Sequence, residues 1–178
     1  MIVGLHGKAG VGKDTLFQNY PSSKRVAFAD PIRDMIAAGF DIPFADMLDQ
    51  QKKNAPDYFM GNSLRHMMQT LGTEWGRHLI HQNIWLEVAR KKIVSYDSDD
   101  TTVFVTDVRF DNEAYLIHDL GGVIIEIIRP DTNILDEHTQ VHRSETGLSG
   151  ELIDFHVVNE GTIDELVNRV KRYLAKHY

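Results

Sequence analysis

The 178-residue chain has no cysteine, which excludes disulfides and cysteine-held zinc and fits a reducing cytoplasm. It has no apolar run approaching the ~20 residues that cross a bilayer. It opens on a strand-like stretch rather than a basic leader with an apolar core, so neither a membrane span nor a signal peptide is expected. Excess positive charge is also missing. Nineteen Lys and Arg against 26 Asp and Glu leave a formal net charge of −7, which argues against non-specific binding to a nucleic-acid backbone. An anionic small molecule would have to be drawn in by a local cluster of arginines and lysines. Internal repeats and low-complexity tracts are absent. Length and a hydrophobic share of 42% suit a single domain, 1–178, with a full core.

What the chain does have stands at its start. Ile2–Thr15 reads IVGLHGKAGVGKDT, a short apolar strand entering a glycine-rich turn that ends in Gly12-Lys13. Gly7, four residues, Gly12 and Lys13 is the spacing of a phosphate-binding loop. Its glycines let successive N–H groups point inward at a phosphate. The helix after it, from Asp14 to Tyr20, adds its positive end, and Lys13 adds a full charge. Gly7, Gly10, Val11, Gly12, Lys13, Asp14 and Thr15 are the candidate contacts to a nucleoside triphosphate. The bland alternative is a glycine-rich turn with a surface lysine. One departure stands out: the residue after Lys13 is Asp14, where a Ser or Thr hydroxyl usually ligates Mg²⁺, and Thr15 follows one place later.

Apolar strands alternate with helical stretches. Strands are predicted at Ile2–His6, Arg25–Ala29, Thr102–Val108, Val123–Ile128 and Phe155–Val158. The third and fourth are nearly continuous apolar runs, as in parallel strands covered on both faces. Between them, Ser63–Ile80 carries Leu64, Met67, Met68, Leu71, Trp75 and Leu79 at helical spacing. A final helix opens on the capping box Thr162-Ile163-Asp164-Glu165 and places Leu166, Val170 and Leu174 on one side. The alternation predicts an α/β fold, a mostly parallel sheet of about five strands with helices on both faces and ligands beyond the carboxyl ends of the strands. Two segments interrupt it, Phe40–Asn62 and Arg129–Gly150. They read either as solvated loops or as part of an acceptor-binding insertion (about 31–82) and a lid (about 129–150). Asp97-Ser98-Asp99-Asp100 reads as a turn.

Val103–Asp107 is an apolar strand ending in a carboxylate. Beside a phosphate loop such an aspartate orients Mg²⁺; otherwise it caps the next helix. Asp30, in Phe28-Ala29-Asp30-Pro31, either contacts an acceptor or metal or caps the helix starting at Pro31. Transfer of a phosphoryl group onto another phosphate brings two anions together and needs charge neutralisation and alignment rather than a base. Arg33, Arg65, Arg77, Arg109, Arg129 and Arg143 fall near predicted strand ends, and each alone could be a solvated surface residue. Arg65, Gln69 and Thr73 share one helical face. The histidine pairs His78/His81 and His138/His142 have ligand spacing but no third ligand nearby, and read as chance.

Several stretches together resemble one family, the phage-type deoxynucleoside monophosphate kinases within the nucleoside monophosphate kinase superfamily. They are Gly7–Thr15 (ending GKDT), Phe28–Pro31 (FADP), Gln69–Arg77 (QTLGTEWGR), Val105–Glu113 (VTDVRFDNE), His142–Glu145 (HRSE) and the end from Asp154 to Leu166. The resemblance implies a three-layer P-loop fold and transfer of the γ-phosphoryl of ATP, with Mg²⁺, to a deoxynucleoside 5′-monophosphate. In that case Lys13 neutralises the donor phosphates, and Asp107, with Asp14, serves the metal. Arg109 and a lid arginine, Arg129 or Arg143, stabilise the group in transfer. Asn159, in the turn Asn159-Glu160-Gly161, borders the donor base. Arg65, Gln69 and Thr73 grip the acceptor, with Asp30, Arg33, Arg77 and Arg143 as further acceptor candidates. Composition and charge, together with this reading, lead to the expectation of a cytoplasmic protein (host cytoplasm if the source is viral) with no nucleic-acid or membrane partner; monomer and homodimer both stay open. A kinase of the same fold acting on another phosphorylated small molecule, such as phosphomevalonate or dephospho-coenzyme A, is the nearest alternative. A GTP switch is a more distant one: the Asn-Lys-x-Asp guanine motif is missing, and Asp119-Leu120-Gly121-Gly122 lies on the wrong side of a strand for a phosphate contact.

Overall fold

A computed structural model of the chain describes residues 1–96, 101–130 and 148–177. It divides into two compact units, Met1–Ala27 with Arg90–Tyr178, and Phe28–Ala89. The expected turn at 97–100 and most of the expected lid lie outside the described residues.

The first unit is built on five parallel strands: β1 (Ile2–His6), β2 (Ser23–Val26), β3 (Thr102–Val105), β4 (Val123–Ile128) and β5 (Phe155–Val158). Their order is β2-β3-β1-β4-β5, and every neighbouring pair is parallel. β1 is therefore central, and because all strands run one way their carboxyl ends share one edge. On one face, Val3 and Leu5 of β1 join Phe104, Ile125, Ile127 and Val157 in a core closed by Leu16 of α1 (Lys13–Asn19) and by Leu166, Val167, Val170 and Leu174 of the C-terminal helix Ile163–His177. The Thr162/Glu165 capping box forms as the sequence predicts: Thr162 N–H donates to Glu165 Oε2 at 2.8 Å and Glu165 N–H to Thr162 Oγ1 at 3.3 Å. The opposite face packs on the helix Asp111–Asp119, where a side chain at Gly4 would strike Ile117 and Ile124.

Two strands stop earlier than their apolar runs. β2 lies at Ser23–Val26 rather than Arg25–Ala29, and β3 ends at Val105 rather than Val108. The runs outlast the strands because Ala27, Phe28 and Val108 stay buried after the backbone has left the sheet. Burial, not strand pairing, keeps those positions apolar.

The second unit is helical: α2 (Asp30–Phe40), a 3₁₀ turn at Phe44–Met47, α3 (Gln50–Asn54), α4 (Leu64–Gln69), a π-helix at Thr70–Ile80, and the start of α5 (Ile84–Tyr96). Ile32, Ile36, Ile42, Met47, Leu64 and Trp85 form its core. Ile42 and Met47 come from Phe40–Asn62, so that polar-looking stretch supplies core residues and is more than a solvated loop. The predicted helix 63–80 changes type after Gln69. Gly72 and Gly76 face Ile32 and Trp85, leaving no room for a Cβ at either position. The Trp85 indole N–H donates to the Gly72 carbonyl at 2.7 Å, a buried bond made across turns widened to i→i+5 pairing.

Candidate active site

The turn after β1 is curled as the spacing suggests. Gly7 and Gly12 hold φ of +131° and +110°, conformations open to glycine. At Gly12 a Cβ would also lie 2.6 Å from Asn159 Nδ2. Lys13 is the first residue of α1. Its ammonium folds back over the turn and donates to the carbonyls of Gly7 at 2.6 Å and Lys8 at 2.8 Å. Burial, and then repulsion from Arg109, push the Lys13 pKa down to about 8, while Asp14 and Asp107 pull the other way. Lys13, Arg109, Asp14 and Asp107 therefore share one electrostatic neighbourhood.

The sheet order explains this grouping. β3 lies beside β1, so the turn that follows β3 emerges next to the glycine loop. Thr106 N–H bonds Val26 O at 3.1 Å and Val108 N–H bonds Leu5 O at 3.3 Å, which places Asp107 between strands β2 and β1. Asp107 is not the cap of the next helix. That helix, α6 (Asp111–Asp119), begins four residues later, and buried Glu113 accepts the N–H groups of Arg109 at 2.8 Å and Phe110 at 3.2 Å. Asn159 follows β5. Its side-chain amide donates to Val11 O at 2.8 Å and its own N–H to Ile128 O at 2.7 Å, so it buttresses the glycine loop from the side of β4. Arg129 is exposed just beyond β4. Arg143 lies outside the described residues.

In the second unit, Asp30 opens α2 and is buried. Its Oδ1 accepts from Arg33 Nη1 at 2.7 Å, and Arg33 Nε is buried without a hydrogen-bond partner among the described residues. A cation with a free buried donor suits an anion. Arg65 Nε donates to Asn54 Oδ1 at 2.5 Å. Arg65, Gln69 and Thr73 are all exposed and Arg77 is half-buried. From Thr70 onward the π-helix shifts the register of this row relative to a regular helix.

Among the described residues, no group of three or more His, Cys, Asp and Glu side chains could hold a metal by itself. The donor set at the loop still fits Mg²⁺, which takes one or two carboxylates together with substrate phosphates. Asp107 and Asp14 supply hard oxygens close enough to Lys13 to act on its charge. Sequence reasoning missed His6, Glu113 and Trp85 as supports of these segments. Glu113 was present in the quoted VTDVRFDNE stretch, but its buried position is what gives it a role.

Residues 45–170 match the family described as "Deoxynucleotide monophosphate kinase". A putative deoxynucleotide monophosphate kinase of Acanthamoeba polyphaga mimivirus is 30% identical over 96% of this chain and 94% of its own length. The deoxynucleoside-5′-monophosphate kinase of Escherichia phage T5 is 25% identical over 90% of both chains. The deoxynucleotide monophosphate kinase of Escherichia phage RB69 is 29% identical over 63% of this chain and 45% of its own.

Proposed function

The chain belongs to the deoxynucleotide monophosphate kinase family, and from that premise we propose that it transfers the γ-phosphoryl of ATP to deoxynucleoside 5′-monophosphates, giving diphosphates. The observation that carries this reading is the Lys13 ammonium folded into a glycine turn at the end of the central strand, beside the turn bearing Asp107 and Arg109. The attacking oxygen of a monophosphate is already ionised, so the protein's task is alignment and charge neutralisation.

In this reading the N–H groups of 7–15 and Lys13 hold the donor phosphates, and Asn159 keeps the loop in shape. Arg109 meets charge on the transferring group, with Arg129 or Arg143 as the second cation. Asp107 and Asp14 would hold Mg²⁺, which when bound supplies charge neutralisation on the phosphates. Arg33, Arg65, Gln69, Thr73 and Arg77 form the acceptor side, with Asp30 orienting Arg33. The preference for phosphomevalonate or dephospho-coenzyme A as acceptor is not favoured by the similarities above. No helix among the described residues is long and apolar enough to cross a membrane, and the cytoplasm is the proposed place of action.

A coupled ADP-release assay across the deoxynucleoside monophosphates tests the reading. At least one is expected to stimulate turnover, with equimolar diphosphate formed. Lys13→Ala is expected to lose at least ~10²-fold in kcat with the fold intact and a melting temperature no lower than the parent's, since the buried ammonium disfavours the folded state. If no deoxynucleotide stimulates ADP release, the reading is wrong.

A further inference from the structure

The turn carrying Asp107 and Arg109 is held from both sides by side chains that have no place in the nucleotide contacts above. On the helix side stands Glu113, buried, accepting the Arg109 and Phe110 N–H groups. On the loop side stands His6, the last residue of β1 and the residue before Gly7. Its Nδ1 lies 2.9 Å from the Val108 carbonyl. A carbonyl oxygen only accepts, so Nδ1 carries the hydrogen in this contact. The other ring nitrogen lies 3.8 Å from Glu126 Oε1, and Glu126 Oε2 is 2.7 Å from Nδ1 of His156. The strand registers pair His6 with Glu126 and Glu126 with His156, so the three side chains form one level across β1, β4 and β5. His6 thus stands beside Glu126 on the sheet and reaches forward to the Asp107–Arg109 turn.

We infer that His6 is a positioning residue. It ties the root of the glycine loop to the Asp107–Arg109 turn through Val108 O, so that Lys13 and Arg109 keep a fixed spacing, and Glu113 completes the clamp from the other side. The inference rests on the kinase reading for its catalytic consequence and on geometry for its structural one. Backbone bonds alone do not do the same work. Between β1 and this turn the main chain offers Val108 N–H to Leu5 O at 3.3 Å, at the long end of the range for such bonds. The His6 contact is the shorter of the two. A displacement of about 1 Å in a group aligned for transfer costs about 10²-fold in rate, so a tie that fixes this turn bears on chemistry.

Three variants separate these roles. His6→Asn keeps a donor where Nδ1 stands; His6→Phe keeps the ring and removes the donor; Glu113→Ala opens the other side. Expected are a kcat for His6→Asn within about threefold of the parent, and losses of about 10- to 100-fold for His6→Phe and Glu113→Ala. The KM values for ATP and monophosphate should stay within about threefold throughout. Backbone amide NMR shifts of Val108 and Arg109 are read alongside. They should move in His6→Phe and not in His6→Asn, whatever the activity. Equal kcat losses in the Asn and Phe variants, unchanged kcat in His6→Phe, or unmoved Val108 and Arg109 amides would each overturn the clamp. If His6→Phe does not fold, His6→Leu against His6→Asn makes the same comparison, since Leu fills the space without a donor; equal kcat in both would overturn it. A parent enzyme that turns over no deoxynucleotide sinks the kinase reading instead, and the amide shifts then decide the clamp by themselves.

Discussion

The glycine loop and the acceptor candidates are prepared to different degrees. Around Lys13 the loop is already closed. Asn159 holds Val11 O, Gly12 has no room for a side chain, and the ammonium rests on two carbonyls that a phosphate can replace as its partner. In the helical unit each candidate cation is engaged differently. Arg33 is paired with Asp30 but keeps one buried donor unused, and Arg65 is bonded to Asn54, while Gln69 and Thr73 face solvent. A preorganised site loses little freedom on binding, whereas a site that must exchange partners gives up part of its interaction energy to do so. Donor affinity should therefore follow the loop's geometry, and acceptor affinity should follow the cost of releasing Arg65 and completing the shell of Arg33.

Between the two sides, the largest expected change in KM breaks the acceptor side alone. Arg65→Ala should raise the monophosphate KM about 10- to 100-fold, the worth of a hydrogen bond to a charged group, with the ATP KM unchanged. Asn54→Ala, which releases Arg65, should leave the monophosphate KM equal or lower. Steady-state kinetics with each substrate varied separately read both. Equal weakening of ATP and monophosphate in Arg65→Ala would remove it from the acceptor side.

A smaller effect belongs to the donor side and is read by pH. In the free protein Lys13 loses its proton near pH 8 because burial and Arg109 disfavour the charged form. Below that value the ammonium is present and the affinity for an ATP analogue should be flat. Above it, binding must take up a proton, and affinity should fall by up to about tenfold per pH unit, the limit for one linked proton. Lys13→Met should flatten the profile, and calorimetric titrations at several pH values check it. The same shift has a sign for folding. The unfolded chain holds the Lys13 proton up to the ordinary lysine value of 10.5, while the folded chain releases it from about 8. This group's penalty on the folded state is full below pH 8 and is relieved as pH rises toward 10.5.

The smallest effect marks a place on which neither side depends. Thr162→Ala removes the capping box of α7 (Ile163–His177) and should cost about 1 kcal/mol. That would lower the melting temperature by about 2–4 °C, with both KM values unchanged.

How far these features could be read from residues alone differs between the regions for a physical reason. The sheet unit obeys local rules. Its apolar runs are strands because they are covered on both faces, its last helix announces itself with Thr162 and Glu165, and the glycine loop sits where a strand meets a helix. The misreadings there come from burial that continues past the end of pairing, as at Val108 and Ala27. The helical unit obeys contacts distant in sequence. Nothing near Thr70 in the chain signals a π-helix; the widened turns depend on Trp85 reaching Gly72 and filling the notch at Gly76. The same holds for the site. Lys13 and Asp107 stand at motif positions, whereas His6 and Glu113 matter through the backbone groups they meet, Val108 O and the N–H groups of Arg109 and Phe110. The partner of His6 becomes visible only once β1 and β3 are side by side, whereas those of Glu113 are local, three and four residues back at the start of its own helix.

The most direct measurement is calorimetric titration of a non-hydrolysable ATP analogue with Mg²⁺ into the protein without any monophosphate. A loop already shaped for polyphosphate should bind the analogue under these conditions, and Lys13→Met should weaken that binding at least tenfold, the effect of losing roughly 1.4 kcal/mol of interaction. Equal affinity in the two proteins, or binding that appears only after a monophosphate is added, would contradict a donor site that is complete in the free protein.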